Sequence, residues 1–259
     1  MVCFVLFLLF AGAVAALILA LGGAPWLAVL GFVLGFLLAH VIFVLVAWVL
    51  SRGTDLSQPG ARQHPFTRWG AAQLGQFLCL YAGVRTVIRG REKFPASGRF
   101  LFVCNHRSMF DPLTVMGFLP EQDIAFISKP SNMAIPLVGD AARTVGFLAI
   151  DRENDREALK TILTAVDYLK RDICSIGIYP EGTRSRTGEL LPFHAGSFKI
   201  AQRAKVPLVI ACVHGKGRRR YLDILETLPA EQVAAMRTPE LAAYSRERIE
   251  NALKEAEEQ

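Results

Sequence analysis

The sequence predicts an α/β domain, a mixed sheet flanked by helices, preceded by an N-terminal hydrophobic helical hairpin. Three observations carry that prediction. From Arg85 onward short apolar runs alternate with helix-forming stretches, and strands that alternate with helices build parallel or mixed sheets. No Asp, Glu, Lys or Arg occurs before Arg52, so the first segment has no charge to hold it in water. Polar residue types cluster just after several apolar runs, where α/β proteins keep their chemistry.

The elements follow in chain order. The charge-free segment divides at Gly22-Gly23-Ala24-Pro25 into Val2–Leu21 and Trp26–Leu50. Each is long enough to cross a hydrocarbon core of about 30 Å at about 1.5 Å per residue. Two membrane helices and a tight turn are expected, and a shallow re-entrant hairpin is the competing reading. A signal peptide fits less well, because a basic leading region is missing and a second apolar stretch follows at once. His40 is expected to face the partner helix or lie near an interface. Arg52, Arg62 and Arg68 follow closely, and positive flanks favour the cytoplasmic side, which places the rest of the chain on the cytoplasmic face of a cell membrane.

A polar connector leads to Phe66–Val84, where Phe66, Trp69, Phe77, Leu80 and Val84 recur at roughly helical intervals. This reads as a helix in the membrane interface or, equally, as a core helix. Strands are expected at Thr86–Ile88, Phe100–Cys104, Ile124–Ser128, Phe147–Ile150, Cys174–Ile178 and Pro207–Val213, with helices at Pro112–Phe118, Asp155–Arg171 and Ala195–Ala204. Pro229–Gln259, rich in Ala, Glu and Arg, reads as one or two surface helices. The divisions are an anchor over 1–52, a linker and interfacial helix over 53–84, the main domain over 85–228 and a helical extension over 229–259.

Composition narrows the partners. The net charge is +6, and a basic domain tethered to a membrane is drawn to anionic head groups. No stacking motif or DNA-binding element accompanies the charge, so nucleic acid is not expected. Five cysteines, at positions 3, 79, 104, 174 and 212, lie mostly in apolar runs without disulfide or metal-ligand spacing. They are expected to be reduced and structural, and no metal site is expected.

The chemistry-bearing residues begin at Asn105-His106-Arg-Ser-Met-Phe-Asp111, directly after an apolar run. A histidine titrates near neutral pH, and a carboxylate within reach fixes its tautomer, which suits a general base. A plainer reading makes Asp111, before Pro112, a helix cap. Cys104 shares a strand face with His106 and is a possible nucleophile, although a buried strand cysteine is usually inert. The second cluster is Tyr179-Pro-Glu-Gly-Thr-Arg-Ser185. There Gly182 lets the backbone approach a ligand and Arg184 presents a fork suited to phosphate. Glu181 would hold that arginine or bind a hydroxyl, and a surface turn is the plain alternative. Gly146–Arg152 ends in Asp151-Arg152, and Lys129 follows a strand; each is otherwise a solvated loop position. Val206–Ile210 carries no reactive group.

In this order the clusters resemble the glycerolipid acyltransferase family, whose best-known members are 1-acylglycerol-3-phosphate acyltransferases. The resemblance covers roughly 85–215. It is carried by Asn105, His106 and Asp111, by Gly146–Arg152, by Glu181, Gly182, Thr183 and Arg184, by Val206-Pro207, and by Phe193–Phe198. One departure is Pro130-Ser131-Asn132 after Lys129, where many members have Glu-Leu. The resemblance implies acyl transfer from a thioester to the sn-2 hydroxyl of a lysophospholipid. His106 is the implied base and Asp111 its orienting partner. Substrate contacts are implied for Asn105, Glu181, Gly182, Thr183, Arg184, Arg152 and Lys129. The implied partners are a lysophospholipid, the bilayer, and acyl-coenzyme A or an acyl carrier protein as co-substrate, with no bound cofactor. Other acceptors, such as glycerol-3-phosphate or a lyso-aminolipid, and a non-enzymatic lipid-binding protein remain as alternatives.

Overall fold

A computed structural model describes residues 2–52, 65–136, 138–151, 153–185 and 187–258. Helices α1 (Val2–Ala20) and α2 (Pro25–Arg52) form the hairpin. The chain reverses because Gly22 adopts φ +78°, a conformation that side chains resist, and the Gly23 N–H donates back to Ile18 O at 2.9 Å. Pro25 opens α2, where its missing N–H would have had no helical partner. The helices approach through small residues. A Cβ on Gly35 would lie 3.4 Å from Ala11 Cα, and Ala11 is fully buried. Only 17% and 11% of their most apolar stretches are buried within the protein. That much outward apolar surface is not that of a core helix and suits a bilayer.

Helix α3 (Pro65–Tyr81) couples the hairpin to the rest. Phe77 stacks on Phe7 at 5.5 Å, and Gln73 Oε1 accepts the Cys3 N–H at 3.2 Å, satisfying a donor at the start of α1. His40 faces α3: Nδ1 bonds Phe36 O at 2.8 Å and Nε2 bonds the Tyr81 hydroxyl. Phe77 and Cys79 are buried while Trp69, Leu80 and Tyr81 are exposed, so α3 has a packed face and an outward one. Its packed face meets α4 (Asp111–Phe118) at two glycines. A Cβ on Gly75 would approach Leu113 O to 2.9 Å, and one on Gly117 would approach Gln76 N to 2.9 Å. Gln76 Nε2 donates to Gly117 O at 2.6 Å.

Among the described residues the sheet has seven strands: β1 (Arg85–Arg89), β2 (Leu101–Cys104), β3 (Ile124–Ser128), β4 (Leu148–Ala149), β5 (Ser175–Ile178), β6 (Leu208–His214) and β7 (Arg219–Leu228). Their order is β1-β7-β6-β2-β5-β3-β4, with every pair parallel except β6–β7. The central strands β2 and β5 are buried throughout and, Ser175 apart, apolar, as strands covered on both faces must be. One face packs Phe102, Phe126, Val209 and Leu222 against Val115 and Leu119 at α4. The other lies under α7 (Asp155–Lys170), α8 (Lys199–Ala204) and α10 (Thr238–Glu257) through Val166, Leu169, Ile200, Leu241 and Ile249.

Three elements depart from the expected pattern. Strand β7 was not expected, because its inward Leu222, Ile224 and Leu228 are interrupted by Asp223 and Glu226 and preceded by Arg219 and Arg220. The short helices α5 (Pro130–Met133) and α6 (Val138–Thr144) carry too few residues for a helical period to show. The extension holds α9 (Ala230–Ala235) and α10.

Candidate functional site

The polar clusters meet at the carboxyl ends of β2 and β5. Because β2 and β5 lie side by side in parallel, with Val103 opposite Ile178, their outgoing loops share one edge. The loops are tied together directly: Ser185 N–H donates to His106 O at 2.9 Å. Glu181, only 4% exposed, accepts the His106 N–H at 2.6 Å on one oxygen and the Leu191 N–H at 3.0 Å on the other. Burial pushes the Glu181 carboxyl up from its ordinary value, and these two N–H donors pull against that rise. Gly182 has φ +75°, the turn that lets the loop fold back.

His106 Nδ1 bonds Asp111 Oδ2 at 2.9 Å. The same oxygen accepts the N–H groups of Arg107 at 2.8 Å and Ser108 at 2.7 Å. Asp111 is the first residue of α4, yet its carboxylate turns back into the loop, so capping is not its role here. The ring of His106 lies on Tyr179 with centroids 4.1 Å apart and planes 13° from parallel, and Tyr179 lies on Phe126 at 5.0 Å. Imidazole position is therefore fixed by a carboxylate in the ring plane and an aromatic column beneath it. His106 Nε2 meets no partner among the described residues, so one lone pair or proton remains for a ligand.

Burial pushes the Cys104 thiol well above its ordinary value, with neighbouring Cys212, Asp111 and Glu181 adding to the rise. A thiol held protonated is a poor nucleophile, which counts against an acyl-cysteine route.

The other predicted positions divide. Arg184 and Thr183 are exposed beside Ser185, and Arg184 forms no ion pair among the described residues. Lys129 is exposed at the end of β3, on the same edge. Asn105 is 2% exposed, and its amide both donates to Val213 O at 2.9 Å and accepts from Val213 N at 2.7 Å. It clamps β2 to β6, and the Cys104 thiol also lies on its amide oxygen at 3.6 Å, so its amide is largely committed to holding the two strands. Glu181 likewise holds backbone rather than Arg184. Arg152 lies outside the described residues. Sequence reading assigned no role to Tyr179; its signal is strand alternation, since β5 in register with β2 puts position 179 on the face of Cys104 and His106.

Known proteins resemble the chain in sequence and in fold. The family model described as Acyltransferase matches residues 85–214. The chain is 32% identical over 233 residues to the 1-acyl-sn-glycerol-3-phosphate acyltransferase of Salmonella typhimurium, covering 86% of this chain and 94% of the relative. The enzyme of the same name from Escherichia coli is 30% identical over the same shares. The crystal structure of the 1-acyl-sn-glycerophosphate acyltransferase PlsC from Thermotoga maritima superposes with a TM-score of 0.67 at 24% identity, covering 86% of this chain and 93% of that one.

Proposed function

The chain belongs to the acyltransferase family and is an O-acyltransferase of the 1-acyl-sn-glycerol-3-phosphate type, and from that premise we propose that it acylates the sn-2 hydroxyl of 1-acylglycerol-3-phosphate to give phosphatidic acid. The observation that carries the reading is the His106–Asp111 pair at 2.9 Å, with Nε2 without a partner among the described residues. In the proposed reaction Nε2 takes the proton of the sn-2 hydroxyl as that oxygen attacks the carbonyl carbon of an acyl thioester. The C–S bond then breaks, and the thiolate leaves with the proton that the imidazolium returns. Asp111, anchored by two loop N–H groups, keeps Nδ1 protonated and balances the charge on the ring. Arg184 and Lys129, exposed on the same edge, supply charge for the acceptor phosphate.

Direct transfer needs both substrates held together, and a well-oriented pair is worth about 7–11 kcal/mol. The donor is an acyl thioester, of coenzyme A or of acyl carrier protein. In this reading the hairpin holds the site at the membrane from which a lysophospholipid comes, and the positive flank at Arg52, Arg62 and Arg68 supports a catalytic domain on the cytoplasmic face.

The test is conversion of 1-acylglycerol-3-phosphate by membranes or detergent-solubilised protein carrying His106→Ala or Asp111→Asn, with product mass spectrometry across acceptors and donors. Both variants should lose activity while retaining acceptor binding. Full activity in His106→Ala would sink the mechanism, and preference for glycerol-3-phosphate or a larger lysophospholipid would change the acceptor but not the chemistry.

A further inference from the structure

The hairpin sets how deeply the domain is held but not which way it faces. α1 and α2 carry no charge before Arg52 and expose apolar side chains on several sides, among them Leu6, Leu9, Val29, Leu34 and Val41. Tilting such a hairpin in the bilayer costs little, because it offers apolar surface to lipid at any tilt. His106, however, reaches lipid from only one side, so a contact outside the hairpin must fix the orientation.

The turn between β6 and β7 has the properties such a contact needs. Lys216, Arg218 and Arg219 are exposed on it, and β1 runs parallel to β7 with Arg85 opposite Arg219 and Arg89 on the same face. None of these five cations forms an ion pair among the described residues, while Arg220 lies on the other face of β7 with Leu222 and donates to Gly215 O at 3.3 Å. Arg91 with Glu121 and Arg99 with Asp123 and Asp172 are by contrast paired, although Arg184 and Lys129 on the catalytic edge also form no ion pair among the described residues.

The turn is also fastened beside the hairpin. Arg85 N–H donates to Arg218 O at 2.8 Å, and the Arg218 side chain lies over Gly83, where a Cβ would come 3.1 Å from its Cδ. Two residues before Gly83, Tyr81 bonds His40 of α2. The catalytic edge is equally close in the fold: Val213, at the end of β6, holds the Asn105 amide next to His106. One cluster of unpaired cations thus adjoins both the anchor and the site.

We propose that the β6–β7 turn and the start of β1 bind anionic phospholipid head groups of the bilayer that holds the hairpin, and so keep the His106 edge turned toward the membrane. The head-group contact rests on the membrane reading of the hairpin alone, whereas its orienting role rests also on the acyl-transfer reading of His106. Phosphodiester head groups offer the single negative charges that these guanidinium and ammonium groups lack within the protein. Each well-placed cation favours the contact about fivefold, and salt weakens it.

The test uses the full chain in substrate-free vesicles of phosphatidylcholine, with and without phosphatidylglycerol, read by amide hydrogen exchange over residues 214–219. Exchange should slow about fivefold or more with phosphatidylglycerol, and the difference should fade at high salt. The combined variant R85Q/K216Q/R218Q/R219Q should lose the difference while keeping wild-type turnover in neutral detergent micelles. Equal exchange of the wild type in both vesicles overturns the proposal even if the variant fails to fold. So does a difference that the folded variant retains. Protection of the turn by an acidic carrier protein in neutral vesicles, without any response to phosphatidylglycerol, overturns it in favour of a donor dock.

Discussion

His106 and His214 are held in nearly the same way. Each bonds an aspartate, Asp111 at 2.9 Å and Asp223 at 2.8 Å, and each lies flat on a tyrosine, Tyr179 at 4.1 Å and Tyr221 at 5.0 Å. The differences lie in what is left over. His106 gives Nδ1 to its aspartate and keeps Nε2, the outer nitrogen, whereas His214 gives up Nε2. Asp111 Oδ2 is anchored by two further N–H donors, while Asp223 Oδ1 is buried without a partner among the described residues. His106 closes a loop between two strand ends. His214 and Asp223 join the antiparallel strands β6 and β7, and Arg89 covers Tyr221 from β1 at 4.6 Å. In the proposed reaction one pair passes a proton, while the other holds a sheet edge together. Residue identity and distance alone do not separate them.

The largest expected effect breaks this comparison if it fails. His106→Ala should lower kcat by about 10²–10⁴-fold, and Asp111→Asn by a similar factor, whereas His214→Ala should leave kcat within about twofold. His214→Ala should instead cost about 1–3 kcal/mol of stability, since it leaves Asp223 without its ring partner. Equal kinetic losses at the two histidines would mean that the sheet edge takes part in the reaction.

Glu181→Gln comes next. Its carboxylate accepts two backbone N–H groups, and an amide oxygen and NH₂ cannot replace both, so about 1–3 kcal/mol of loop order should be lost. The fall should appear in kcat with little change in acceptor KM, because Glu181 positions His106 through the backbone. A rise in KM alone would restore the direct substrate contact. Arg184→Ala should do the reverse, raising KM for the phosphorylated acceptor about tenfold or more with a smaller change in kcat.

The tyrosines sharpen the comparison on a finer scale. Burial pushes the Tyr179 hydroxyl well above its ordinary value, so the ring stays neutral beneath His106. Tyr179→Phe should therefore be close to wild type. Tyr179→Ala should reduce kcat by removing the surface that fixes the imidazole plane, and Tyr221→Ala should not.

The sequence made the first pair legible because both of its members lie within one seven-residue loop after an apolar strand. The second pair was hidden because His214 and Asp223 meet only through the β6–β7 register, and β7 itself was masked by its charges. The same limit explains Asn105 and Glu181. Their residue types suggested ligand contacts, but whether an amide or carboxylate faces outward depends on which backbone groups a neighbouring strand leaves open. Val213 and Leu191 take those positions. Strand alternation could have found Tyr179; nothing local could have found Leu191. The hairpin was legible because charge-free length is a property of the chain itself.

A thiol neighbours each pair, and the two thiols give the smallest predicted effect. Cys104 shares the face of His106, and Cys212 lies near Asp223, with burial pushing it up to about 12. Cys174, also buried, is pushed up to about 12. A thiol whose value is raised on folding stays protonated in the folded state while the unfolded chain ionises near about pH 8.5. Its contribution to stability is thus fully present below that pH and is lost as the pH climbs toward the folded values. The melting temperature should decline as the pH is raised from 7 to 10. Replacing Cys104 and Cys212 by Ala should flatten that decline, though each truncation costs a little packing at neutral pH. Iodoacetamide at pH 8 should leave the activity of the native enzyme unchanged, and Cys104→Ala should stay within about threefold of wild type. Rapid inactivation by the reagent, traced by peptide mapping to Cys104, would bring back a covalent acyl-enzyme and make His106 the partner of a sulfur rather than of a lipid hydroxyl.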